Sequence, residues 1–227
     1  MIKIIWIIGC PRSGTSFLTD YIGNYTDYCF NEPWNDFPLG KHKDWMLPKH
    51  NVVLKGIKQL NTSVVFKYCA NALYYDEISK LYPKSKWVCI VRDPLHVMYS
   101  IFYPKKDSVP KRLWEVSKNG VPHCPLAVPF RDHHLINEVI RQVFFNWHSI
   151  FVASMKIEEI KLIKYENIDI EGLADFLELP LARDNFIYNN RNEVYDIEKM
   201  KYLIKFLKFN NLYDDILKVK KILRYKK

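Results

Sequence analysis

The feature that most constrains this chain lies at its N-terminal end. The apolar run Ile4-Ile5-Trp6-Ile7-Ile8 stops at Gly9. Cys10-Pro11-Arg12-Ser13 then leads to Gly14, the hydroxyl residues Thr15 and Ser16, and an apolar-periodic segment opening with Phe17-Leu18. That order reads as a buried strand, a tight loop and the start of a helix. Such a loop aims successive backbone N–H groups and a helix dipole at one point, which suits an anion. Its spacing follows the phosphate-cradling pattern G-x-x-x-x-G-K-[ST] with one change, because Thr15 stands where the lysine belongs. The cation inside the loop is Arg12. A phosphate loop without that lysine points away from ATP and GTP, and toward a nucleotide whose single 5′-phosphate carries a transferable group.

The rest of the chain extends this strand–loop–helix unit into an α/β fold. Strands are expected at 2–8, 51–54, 64–67, 86–91 and 160–164. Helices are expected at 15–25, 71–81, 94–102, 135–155, 172–179, 197–209 and 212–224. Alternation of this kind implies a central parallel sheet with helices on both faces. At 227 residues, with no repeat or long linker, one domain spanning 1–227 is expected. Residues 103–134 are rich in Pro, Lys and His with little periodicity, and they read as an acceptor-facing loop or lid. The apolar stripe of the 135–155 segment reads as core packing.

Composition narrows the classes. Nearly half of the residues are apolar (48%), which argues against a disordered chain. The net charge of +9 suits an anionic ligand, a nucleic acid or an acidic surface. The C-terminal lysines, Lys218, Lys220, Lys221, Lys226 and Lys227, read as a solvated helix face. Five scattered cysteines without a C-x-x-C pair make a metal centre and a disulfide framework poor readings. They suit a reducing, cytoplasmic compartment. The first apolar run is too short to span a membrane and flows straight into the loop, so it reads as a core strand and not as a signal peptide.

A second constellation follows the fourth expected strand: Lys86-Trp87-Val88-Cys89-Ile90-Val91-Arg92-Asp93-Pro94, with Ser100 eight residues after Arg92. Asp93 suits an N-cap and Pro94 the first helical position. Arg92 would stand at the carboxyl edge of the sheet, where open α/β folds bind ligands. An arginine fork and a hydroxyl there suit one phosphate.

Together these segments resemble the nucleotide-binding motifs of the sulfotransferases that use 3′-phosphoadenosine 5′-phosphosulfate. Pro11-Arg12-Ser13-Gly14-Thr15-Ser16 resembles the 5′-phosphosulfate loop, and Arg92 with Ser100 has the spacing of the 3′-phosphate site. Tyr165-Glu166-Asn167-Ile168 resembles the Tyr-Glu-Asp-Leu segment whose tyrosine lies near the adenine, and Phe17 falls where cytosolic members carry a stacking tryptophan. The likeness runs from Ile4 to Leu179. Arginine in the loop resembles the tyrosylprotein and bacterial carbohydrate members, where many others have lysine.

Two departures bear on the chemistry. Cytosolic members place a catalytic histidine in Lys-Thr-His, and the string here is Lys67-Tyr68-Cys69. The Arg-Lys-Gly segment that also grips the 3′-phosphate has no clear match, with Arg191 a loose substitute. The resemblance therefore implies that Glu32, in Asn31-Glu32-Pro33, takes the acceptor proton; His123, His133 and His134 in the lid are its rivals. It also implies that the loop from Ser13 to Ser16 holds the 5′-phosphate. Arg12 neutralises the bridging and sulfuryl oxygens, Lys67 assists from its strand end, and no metal is required. The expected acceptor is a small molecule or a glycan, with a phenol or a peptide tyrosine also fitting the lid's composition, and no nucleic-acid or membrane partner is expected. A P-loop small-molecule or nucleotide kinase lacks its signature lysine here. A basic nucleic-acid-binding module has net charge and fifteen tyrosines in its favour, but no interleaved surface pattern.

Overall fold

Strands that are covered on both faces must be apolar at successive positions, and the two longest runs that meet this demand lie side by side in the sheet. In the computed structural model these are β1 (Ile4–Gly9), buried throughout, and β4 (Lys86–Val91), buried from Trp87 on. The remaining strands are β2 (Tyr28–Asn31), β3 (Val64–Lys67) and β5 (Ile160–Lys164). The structure describes residues 3–10, 12–31, 62–67, 71–72, 75–103, 148, 151–181, 195–209 and 211–225.

Among the described residues the sheet has five parallel strands, in the order β2-β3-β1-β4-β5. Register brings their carboxyl ends to one edge. Ile7 pairs with Lys67, Asn31 with the same Lys67, Gly9 with Ile90 and Val91 with Lys164. That edge is where ligands bind in open parallel sheets. The segment expected as a strand at 51–54 lies outside the described residues. β2 was not expected: its four residues have a single buried member, Phe30, so a sheet-edge position leaves almost no apolar pattern.

The helices are α1 (Thr15–Gly23), α2 (Tyr75–Leu81), α3 (Pro94–Phe102), α4 (Ile170–Leu177), α5 (Ile197–Phe209) and α6 (Tyr213–Ile222). Expected and observed bounds coincide for α3 and α5. The helix expected at 172–179 starts earlier because Asp169 caps it, accepting from the Gly172 N–H at 2.9 Å. Of the long helix expected at 135–155, residues 148 and 151–154 are helical and the rest lies outside the described residues.

The chain divides into two compact units, Met1–Val91 with Pro122–Leu126 and Trp147–Phe186, and Arg92–Val121 with Ala127–Asn146 and Ile187–Lys227. In the first, the two faces of the sheet differ in chemistry. Ile5, Ile7, Val88 and Ile90 point to an aliphatic layer with Leu18 and Ile22 of α1 and Leu173 and Leu177 of α4. The opposite face is aromatic: the Trp6 ring lies 5.1 Å from Phe66 and 5.5 Å from Trp87. Burial pushes the Tyr21 phenol up to about 12, with the neighbouring Tyr25 adding to the effect. In the second unit, α6 packs on both α3 and α5. Among the described residues, no helix is long and apolar enough to cross a membrane.

Candidate nucleotide site

The loop between β1 and α1 turns on two glycines. Gly9 has φ 145, and a Cβ there would stand 2.4 Å from the Ile90 carbonyl oxygen. Gly14 has φ 93, and its Cβ would fall 2.5 Å from the Tyr165 ring. Both conditions exclude an ordinary side chain. The turn is closed by the Ser13 N–H donating to the Cys10 carbonyl at 3.1 Å, and Arg12 takes a left-handed φ of 70. Gly14 is the N-cap of α1, and no side chain caps the helix. The helix therefore presents its first turn to whatever occupies the loop.

The side chains of the loop sort by exposure. Arg12 and Ser16 are exposed, Phe17 is half-buried, and Thr15 is buried. Phe17 thus sits at the margin of the α1 core face, and Thr15 and Thr19 are buried with Leu18, Tyr21 and Ile22. The Thr19 hydroxyl donates to the Thr15 carbonyl at 2.7 Å, which explains how a polar residue is tolerated there. Ser13 is 1% exposed, and among the described residues its Oγ has no hydrogen-bond partner. A buried hydroxyl left unpaired costs about 1–3 kcal/mol, so a loop that keeps one is built for an added acceptor.

Lys67, the last residue of β3, is 5% exposed, and its ammonium donates to the Ser16 Oγ at 2.9 Å. The neighbouring strand thus supplies a cation to the loop, although the loop's own lysine position holds Thr15. Tyr165 follows β5; its N–H donates to the Val91 carbonyl at 2.7 Å, and its ring covers Gly14. The fold therefore brings Arg12, Ser13, Gly14, Thr15, Ser16, Lys67 and Tyr165 to one stretch of the sheet's carboxyl edge.

Arg92 and Ser100 belong to the second unit. Arg92 is 6% exposed and donates from Nη2 to the Tyr195 Oη at 2.6 Å. Asp93 is the expected N-cap, accepting from the Leu95 N–H at 2.9 Å. Its other oxygen receives the Lys220 ammonium at 2.8 Å. Both partners of that pair are buried. Ser100 is buried six residues into α3 by chain order, where its hydroxyl donates to the Val97 carbonyl at 2.9 Å. In that rotamer it turns back on its own helix and offers an incoming group its lone pairs.

Two site features were missed in the sequence. The C-terminal lysines are not all a solvated face: Lys218 and Lys221 are exposed, but Lys220 is buried. The signal was present, since Lys220 falls within the buried stripe of Ile216, Val219 and Leu223. Tyr195 had no local signal. Glu32, Arg191, His123, His133 and His134 lie outside the described residues, as do residues 104–134 of the expected lid.

A glycine-gated, uncapped helix start, an added ammonium and a buried hydroxyl with no partner among the described residues together suit an anion at the edge of a parallel α/β sheet. The sulfotransferase domain family model matches residues 3–215. The chain belongs to that family, and with it to the general class of enzymes that transfer a sulfuryl group from 3′-phosphoadenosine 5′-phosphosulfate. Its fold is similar to the crystal structure of a sulfotransferase from Alicyclobacillus acidocaldarius, at 12% identity and a TM-score of 0.49 over 98% of this chain and 96% of that one. No curated protein matches the chain.

Proposed function

We propose that this chain, acting as one domain, transfers the sulfuryl group of 3′-phosphoadenosine 5′-phosphosulfate to a hydroxyl of a carbohydrate or other small molecule. The observation that carries this reading is the Lys67–Ser16 contact, which gives a loop with no lysine of its own a cation from β3. In this reading the N–H groups from Ser13 to Ser16 hold the 5′-phosphate, and the Ser13 hydroxyl donates to it. Arg12, in the manner of the Arg-loop members, and Lys67 offset charge building on the sulfuryl and leaving oxygens. That is the principal need of such a transfer. Phe17 and Tyr165 flank the adenine, and Arg92 reads the 3′-phosphate with Ser100, whose hydroxyl must turn from the Val97 carbonyl to donate to it.

Glu32 is the proposed base. It follows Asn31, whose register with Lys67 ends β2 at the same sheet edge. The scheme calls on no metal. The 103–134 segment, with Lys105, Lys106, Lys111, Arg112, Trp114 and Phe130, is assigned to the acceptor; cationic and aromatic side chains suit a sugar ring or an anionic glycan. The compartment proposed is the cytoplasm.

The test is ligand stabilisation. Adenosine 3′,5′-bisphosphate at 100 times its Kd should stabilise the fold by about 2.7 kcal/mol without magnesium. ATP with magnesium should do far less. Stabilisation by ATP and none by the bisphosphate would overturn the reading in favour of a kinase, and competition by DNA would favour a nucleic-acid module.

A further inference from the structure

Arg92 is buried at 6% exposure, and a buried guanidinium can serve a ligand only if something fixes which way its fork points. The Tyr195 hydroxyl does this, accepting from Nη2 at 2.6 Å. The tyrosine is itself held. Its ring stacks on His96 at 4.2 Å with 19° between planes, and it meets Tyr99 edge-on at 5.1 Å and 87°. Both clamps are on α3, the helix that begins two residues after Arg92. The next residue, Asp196, donates its N–H to the Tyr99 Oη at 3.1 Å and caps α5 through the Glu198 and Lys199 N–H groups. The Lys199 N–H, with that of Glu198, holds the Asp196 carboxyl below its usual range. Tyr195 is thus pinned between the starts of two helices.

The chemistry of the holder matters as much as its position. A phenol is neutral at ordinary pH, so it orients the guanidinium without cancelling its charge, as a carboxylate would. The nearest carboxylate in sequence, Asp93, is engaged by Lys220 and by the Leu95 N–H. We infer that Tyr195 is a positioning residue that aims Arg92 at a phosphate monoester, and that it sets the preference for a nucleotide bearing a 3′-phosphate over one bearing a 3′-hydroxyl. This rests on the reading of Arg92 as the group that binds that phosphate, and it supplies the C-terminal contribution that no Arg-Lys-Gly segment provides.

The experiment compares Kd for adenosine 3′,5′-bisphosphate and for adenosine 5′-phosphate by calorimetry. The proteins are the full chain, Tyr195→Phe, Arg92→Ala and the double variant, each with its melting temperature. Tyr195→Phe keeps the ring stack and removes one oxygen. It should lower the preference for the bisphosphate about tenfold and leave the 5′-phosphate Kd unchanged, with a modest fall in melting temperature from the guanidinium's lost acceptor. In the Arg92→Ala background the same change should have no further effect on that preference. A Tyr195→Phe variant that keeps the full preference while Arg92→Ala loses it overturns the inference and leaves Arg92 standing. So does an equal loss for both ligands, which marks a general packing role. If Arg92→Ala itself keeps the preference, the Arg92 reading fails and the inference falls with it.

Discussion

The loop at residues 9–16 and the corner at Arg92-Asp93 are both proposed to bind phosphate, and they are built in opposite ways. The loop relies on backbone: two glycines at positive φ, an uncapped helix start and a buried hydroxyl with no acceptor among the described residues. Its arginine is exposed. The corner relies on side chains, and each has a protein partner: Arg92 on Tyr195, Asp93 on Lys220. The first is a backbone turn whose N–H groups suit an oxyanion. The second is a charged group that has to be held still before a ligand arrives. A backbone cradle buries no net charge, whereas a buried charge requires compensation that reaches across its unit.

Neither region supplies a proton acceptor, and the largest expected effect tests that separation of binding from chemistry. Glu32→Gln keeps size and hydrogen bonding but cannot take a proton. Turnover should fall by roughly 10²–10⁴-fold, while the Kd for adenosine 3′,5′-bisphosphate stays near that of the parent chain. The acid limb of the pH–rate profile should vanish with it. If Glu32→Gln remains active and one of His123→Ala, His133→Ala or His134→Ala does not, the base belongs to the lid segment.

The next largest effect is on stability and bears on the corner alone. Lys220→Met leaves the buried Asp93 carboxylate without its cation and should destabilise the fold by about 3–5 kcal/mol in denaturant unfolding. Combining it with Asp93→Asn, which removes both charges and keeps a helix-capping side chain, should recover most of that loss. No recovery would mean that Lys220 acts through packing of its methylene stem.

The same contrast explains what could be read from the sequence. The loop was legible because its constraints are local: both glycines, the hydroxyl residues and the helix they start lie within eight positions of one another, from Gly9 to Ser16. β4 and its Asp-Pro helix start were legible for the same reason. Lys67 was flagged only through the family resemblance, and its contact with Ser16 depends on β3 lying next to β1, a fact of topology. Tyr195 is 103 residues from Arg92, in a stretch with no periodic pattern to mark it. Lys220 carried a faint signal, a charge on an apolar stripe, that the general rule for lysine runs overrode. β2 escaped because an edge strand with one buried residue has no alternation to detect.

The smallest expected effect gives the sharpest view of the loop. Ser13 is buried and its hydroxyl lacks an acceptor among the described residues, so removing it should not weaken the empty protein. Ser13→Ala should raise stability without ligand, by about 1 kcal/mol, because a desolvated polar group with no partner is replaced by an apolar one. Affinity for adenosine 3′,5′-bisphosphate should move the other way, falling about two- to tenfold as one net hydrogen bond is lost. Adenosine 5′-phosphate should lose the same factor, since the loop is assigned to the 5′ end, whereas Arg92→Ala spares that ligand. Thermal melts with and without each nucleotide measure both quantities on one sample. A Ser13→Ala protein that is less stable without ligand and binds both nucleotides normally would show that the hydroxyl serves the fold, and the contrast between a backbone cradle and a braced side-chain corner would not hold.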